Sequence, residues 1–251
     1  MTAQTADRRL LWASVATVAA LAVLVGLGWW QWQRKAWKEG LIAQITARTT
    51  AAPVTIAAAR DRYRQAPGEI EYMRVVAEGR FDHAKERYFY APVTGGTGWH
   101  VVTPLTMADG DTVWVNRGFV PDALRDPAKR IEGQVSGPVR VVGLARLPTP
   151  ADTFTPANDP ARNVWYRRDV EGLDASAFGA AHRSVPFIIE ADDTAVPGGW
   201  PRGGVTRLAI PNRHLEYALT WWGLAATLVG VYAAFAISRR RAFPRLPHEP
   251  S

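Results

Sequence analysis

Cysteine is absent from all 251 residues. That excludes disulfide frameworks, thiolate metal sites, iron–sulfur clusters and cysteine nucleophiles together. Enzyme signatures are missing as well: there is no H-E-x-x-H, no G-x-x-x-x-G-K-[ST] and no G-x-S-x-G. The serines Ser136, Ser176 and Ser184 sit in turn-like sequence without a neighbouring base. No internal repeat and no long low-complexity tract occurs. Acidic residues are the minority, 23 against 30 Lys and Arg, which leaves a net charge of +7. Four of those seven excess charges lie in the short tails: Arg8 and Arg9 against Asp7 give one, and Arg239, Arg240, Arg241 and Arg245 against Glu249 give three. Basic tails beside apolar runs point to membrane topology and away from nucleic acid.

Two apolar runs dominate what is present. Leu10 to Trp30 holds no charge, and neither does Ala218 to Ile237. At about 1.5 Å rise per residue the first is about 31 Å long, enough for a hydrocarbon core. Trp29 and Trp30 close the first run and Trp32 and Trp37 follow it, while Tyr217, Trp221 and Trp222 stand at the start of the second. Such rings mark membrane–water boundaries and give contact with membrane lipids. The first run is longer than a signal-peptide core and no A-x-A site follows it, so it is expected to stay as an anchor. Residues 1–9 hold two arginines and no serine, unlike a mitochondrial presequence. The expected order is a cytoplasmic tail (1–9), a transmembrane helix (10–30), a β-rich periplasmic domain (31–213), a second transmembrane helix with its interfacial first turn (214–237) and a basic cytoplasmic tail (238–251). The Arg239–Arg241 cluster sets that orientation, because a loop of this length escapes the charge rule. The location this gives is a bacterial inner membrane, crossed twice.

Between the runs, alternating patches predict strands over 72–81, 87–93, 99–105, 112–120, 139–146 and 187–190. Asp109-Gly110 is a turn. A short helix is predicted over 172–179, and a helical stalk over 40–48 ended by Pro53. The fold class is a membrane α+β protein: two transmembrane helices flanking one mostly antiparallel β domain. Ala22-x-x-x-Gly26 and Ala226-x-x-x-Gly230 offer small faces for packing the helices together.

His214 stands out, just ahead of the second run. Asn212 can cap the helix there. His214, Tyr217, Ala218 and Trp221 then share one face, at spacings of three, four and seven. A neutral imidazole beside aromatic rings can ligate a metal or an iron porphyrin, with Arg207 and Arg213 for its propionates. The same residues serve equally as an anchor to lipid headgroups. Arg117, in VNRGFVP, reads as a structural hydrogen-bonder or a site residue, and Gly118 as a bulge or close-packing position.

Seven segments in order resemble one family. They are LGWWQWQRKAWKEGLI (27–42), GRFDH (79–83), VVTPL (101–105), VNRGFVP (115–121), NDPARNVWYRRD (158–169), VPGGWPRGGVTR (196–207) and NRHLEYALTW (212–221). The chain is similar to the Surfeit locus protein 1 (Shy-type) family of cytochrome c oxidase assembly factors, nearly end to end. The resemblance implies help in building the oxidase catalytic subunit, with haem a as a transient cofactor and haem a synthase as a further partner. It implies no catalytic residues and no turnover. It places the haem-contacting histidine at His214, the one position for a metal, with Tyr217, Trp221, Arg207 and Arg213 around it. Trp30, Gln31 and Arg34 carry over as the first-span signature, and Asn116, Arg117 and Gly118 as a motif without an assigned role. The competing reading is a membrane-anchored scaffold that binds oxidase subunits without touching haem.

Overall fold

A computed structural model describes residues 3–93, 96–205 and 211–242. The elements in chain order are α1 (Ala3–Thr50), β1 (Val54–Thr55), α2 (Ile56–Gln65), β2 (Arg74–Phe81), β3 (Arg87–Val93), β4 (Gly96–Met107), β5 (Thr112–Pro121), β6 (Val139–Arg146), α3 (Val170–Phe178), β7 (Ile188–Ala191) and α4 (His214–Ala242). They fall into two compact units, Met1–Gln44 with Ala209–Ser251, and Ile45–Leu208.

The first unit is the pair α1 and α4. Both are long and apolar enough to cross a membrane by length and composition. No helix breaker interrupts the chain before Pro53, so α1 runs on past the apolar stretch to Thr50 as one helix. The better-covered positions of α1 follow a four-three alternation: Leu10, Ser14, Thr17, Leu21, Leu24, Gly28 and Gln31. On α4 the matching set is His214, Ala218, Trp221, Ala225, Leu228 and Tyr232. A 3.5-residue repeat keeps one seam facing its partner. Ser14 Oγ lies 2.5 Å from Tyr232 Oη, and Gln31 meets His214, so the helices run antiparallel.

The small faces expected at Ala22/Gly26 and Ala226/Gly230 are not this seam. Nothing lies within 4 Å of a Cβ built on Gly26 or Gly230, and Ala22 and Ala226 are exposed. Gly28, Ala218 and Ala225 take that place instead, because they fall in the 3.5-residue register and the other four do not. A Cβ on Gly28 would stand 2.2 Å from Trp222 Nε1. Gly28→Val is therefore expected to push the helices apart, at about 1–3 kcal/mol. The chain has no cysteine, so a Ser14→Cys/Tyr232→Cys pair can be bridged by a short bis-maleimide. Bridging should be efficient in the parent and sharply reduced with Gly28→Val added.

The second unit is a small closed barrel. β2, β6, β7, β5 and β4 follow one another by hydrogen bonding, and β4 returns to β2 through Gly79–Met107, Arg80–Thr106 and Phe81–Leu105. A ring of five strands cannot alternate direction all the way round. One parallel pair is forced, and it is β5 with β7, while the other four pairs are antiparallel. β1 and β3 pair outside the ring. Alternate residues fill the interior, among them Val75, Leu105, Val113, Val115, Ala145 and Ile189, each fully buried. α3 covers the outer face at Trp114, Trp165 and Ile188. Asp169 Oδ1 accepts from Gly172 N at 3.0 Å and starts that helix.

The six predicted strands all form, within two or three residues of the expected bounds. The sequence reading gave no sign of α2. Its ten residues, IAAARDRYRQ, bury only Ile56 and Ala59, so they carry almost no apolar period. Thr55 Oγ1 caps it by accepting from Ala58 N at 3.3 Å.

Candidate functional site

His214 opens α4, where the helix leaves its first backbone groups unpaired. Its Nδ1 lies 2.7 Å from Gln31 Oε1. A carbonyl oxygen only accepts, so Nδ1 carries the hydrogen and donates it. In the neutral ring that leaves a lone pair on Nε2, which makes no hydrogen bond among the described residues. Holding one ring N–H on an acceptor fixes the tautomer and the ring orientation, as ligating histidines usually require. The donor set therefore suits an iron porphyrin: one oriented imidazole nitrogen beside aromatic rings.

The expected face is only partly assembled. Ala218 is wholly buried and Trp221 half-buried on the seam with His214, whereas Tyr217 stands off it, 55% exposed. Arg213 Nε pairs with Glu216 Oε2 at 3.2 Å, both in solvent. Arg207 lies outside the described residues. Asn212 makes no cap: its Oδ1 is buried without a hydrogen-bond partner among the described residues. The helix starts at His214 and Arg213 O accepts from Tyr217 N at 3.4 Å, so Arg213 holds the cap position and Asn212 stands one residue ahead of it.

Of the first-span signature, Gln31 is the member brought to His214. Trp30 is exposed, and the Arg34 guanidinium lies 4.5 Å over the Trp37 ring. The parts played by two residues were not readable from sequence. Trp222 closes the seam against Gly28 and stands 6.1 Å from the Trp32 ring. Gln31 had no assigned role, although the four-three spacing of Gly28 and Gln31 places both on the seam.

Asn116, Arg117 and Gly118 stand elsewhere, in the barrel. Val101 pairs with Gly118 and Val102 with Asn116, so Arg117 is the extra residue of a bulge. Gly118 has φ +118°, and a Cβ there would come within 1.8 Å of Arg202 O. Asn116 Oδ1 accepts from Gly118 N at 3.0 Å and holds the turn. The bulge aims Arg117 inward, to Glu86 Oε1 at 3.2 Å and to the carbonyl of Gly133. Arg130 Nη2 meets Glu86 Oε2 at 2.5 Å from the other side. Glu86, Arg117 and Arg130 are each about 5% exposed or less. Burial draws Arg117 down to about 10 while Glu86 opposes it, so the guanidinium stays charged at neutral pH. This cluster ties the turns Asp122–Leu124 and Pro127–Gly133 to the barrel, with Arg130 Nε donating to Leu124 O at 3.0 Å.

A model described as the SURF1 family matches residues 18–226, from inside α1 to inside α4. Surfeit locus protein 1 of Mus musculus is 40% identical over 221 residues, 82% of this chain and 69% of that protein. The Homo sapiens protein of that name is 41% identical over 219 residues, 80% of this chain and 70% of its own length. That of Takifugu rubripes is 39% identical over 226 residues, 82% and 89% respectively. The matched stretch contains both Gln31 and His214 as well as the whole barrel, and the chain belongs to the SURF1 family.

Proposed function

We propose that this membrane protein is an assembly factor for a haem–copper cytochrome c oxidase, and that it holds haem a as cargo on the way to the catalytic subunit. The observation that carries the reading is the Nδ1–H bond of His214 to Gln31, which leaves Nε2 available as an oriented ligand. Haem a supplies an iron that accepts an axial nitrogen and propionates that accept hydrogen bonds. His214 Nε2 would hold the iron, with Trp221 beside it on the seam and Tyr217 reaching it from its exposed position. Arg213, and Arg207 from the neighbouring segment, answer the propionates, Arg213 by exchanging its solvent-exposed pairing with Glu216. Cargo is carried without turnover, in keeping with the missing enzyme signatures. The oxidase catalytic subunit and haem a synthase are the partners of this exchange.

The test is the absorption spectrum of the full-length protein, purified in detergent after co-expression with haem a synthesis. A haem band supports the cargo reading, and a colourless protein that still co-purifies with oxidase subunits favours the scaffold. Deletion of the gene is expected to leave oxidase subunits translated but under-occupied in haem a. Full oxidase activity in a clean deletion overturns both readings.

The bilayer proposed is a bacterial inner membrane, with the barrel in the periplasm and both termini in the cytoplasm. The basic Arg239–Arg241 cluster supports the orientation; the relatives above are animal proteins and do not choose the bilayer. A reporter active only in the cytoplasm should work after Ser251 and fail when inserted within 122–129. The opposite pattern reverses the orientation.

A further inference from the structure

The barrel unit has a cavity of about 300 Å³ on its outer face, lined wholly by residues within 72–205 and sharing none with the His214 site. Its floor is apolar, with Phe89, Val102 and Ile188. One wall is aromatic: the Tyr90 and Tyr166 rings stand 5.9 Å apart. Tyr72 adds a third ring, from a backbone with φ +63°. A non-glycine residue in that region is strained, and such strain gathers at binding sites.

The opposite wall carries guanidinium groups. Arg146 is fixed through Nε to Glu71 at 2.8 Å and through Nη1 to Glu190 at 2.9 Å, with its plane 4.5 Å over Tyr72. Arg168 is fixed through Nε to Leu147 O at 2.8 Å, while its Nη1 is 3.7 Å from Glu190. Each keeps an Nη2 amino group without a hydrogen bond among the described residues. Arg146 has Glu71 as a second carboxylate, and Arg167 has Asp169 at 3.6 Å. Among the described residues, the one carboxylate within ion-pair distance of Arg168 is Glu190, at 3.7 Å and already engaged by Arg146. Burial and the neighbouring Arg146 both lower the Arg168 pKa, so an added anion relieves a real electrostatic cost. On the floor side, His100 Nδ1 is buried with no hydrogen-bond partner among the described residues. An unmade bond of that kind costs about 1–3 kcal/mol and calls for a partner.

We propose that this cavity binds a flat aromatic carboxylate: its carboxylate on Arg168 and Arg146, its ring against Tyr90 and Tyr166, and a polar substituent at His100 Nδ1. Paired N–H donors suit two coplanar oxygens, and tyrosine faces suit a planar body. A cavity of this size is at the small end for organic ligands, which limits the body to one or two rings.

The probe is 4-hydroxybenzoate, titrated calorimetrically into the full-length protein in detergent, with 4-hydroxybenzamide and inorganic phosphate as comparisons. Saturable one-to-one binding of the benzoate is expected, at least about tenfold tighter than the neutral amide and than phosphate. Arg168→Gln should weaken it by a similar factor. Tyr166, 39% exposed, can be replaced without touching the core, so Tyr166→Ala tests the ring contact should Arg168→Gln fail to fold. His214→Ala should leave this binding unchanged. Absence of saturable binding, equal binding of the amide, equal binding of phosphate, or indifference to Tyr166→Ala each overturns the proposal.

Discussion

Full-length protein carrying His214→Ala is expected to lose its haem absorption band while still inserting into the membrane. The substitution removes the nitrogen proposed as the ligand and alters no apolar residue of α4. Gln31→Leu keeps the imidazole but removes the acceptor of its Nδ1–H. The ring is then free to turn or change tautomer, and haem affinity should fall about ten- to a hundredfold, the usual cost of a lost partner behind a ligand. Gln31→Glu restores an acceptor and should recover most of the loss. That recovery separates positioning from a merely structural effect on the helix pair, because Gly28→Val disturbs the pair without touching Nδ1. Trp221→Phe keeps a ring and should weaken binding less than His214→Ala. His248→Ala, in the C-terminal tail, is the neutral control. A wild-type spectrum in His214→Ala overturns the ligand role and leaves His214 as an interfacial anchor.

Glu86→Gln is expected to destabilise the barrel severely. The carboxylate stands between Arg117 and Arg130, with its own side chain 2% exposed. Neutralising it leaves two buried guanidinium groups without an anion, a loss of about 3–5 kcal/mol. For a unit of this size that lowers the melting temperature by roughly 10 °C or more. The same geometry sets a pH dependence. Burial opposes the charged form of Glu86, but hydrogen bonds from His83 and Arg130 and the charges of Arg130 and Arg117 outweigh it. They hold its pKa at about 2, below the ordinary 4.5. A depressed carboxylate contributes stability that is complete above the unfolded value and is lost as pH falls through the folded one. Thermal melts followed by near-ultraviolet circular dichroism should therefore show about 3 kcal/mol lost between pH 4.5 and pH 2. Glu86→Gln should start lower and lack that component. A variant that melts with the parent, or keeps its acid slope, shows that the cluster does not hold the turns to the barrel.

The strands and the two long helices were legible in the sequence because each signal there is local. Val113, Val115 and the alternation around them mark β5 wherever it ends up, and an uncharged run of 21 residues is helical for want of any other way to bury its backbone. His214 was also legible, as a titratable residue beside an apolar run and as part of a family motif. α2 was not, since alanine and arginine without a period look like linker. The helix seam was misread for a different reason. A small-xxx-small pair is a property of one helix, whereas a seam depends on the register of two. Trp222 decides that Gly28 must be glycine, and they are separated by nearly the whole chain.

Composition and local pattern thus determined, by themselves, the two spans, the six strands and the absence of enzyme signatures, while the order of seven motifs carried the family resemblance. Tertiary structure alone decided three things. It closed the strands into a ring of five, which forces the parallel β5–β7 pair. It sent Arg117 from a bulge into a buried ion cluster with Glu86 and Arg130. It brought Gln31 to His214 across 183 positions and so set which nitrogen of the ring is available. Each depends on groups far apart in sequence reaching hydrogen-bond distance, and no local pattern encodes a distance of that kind.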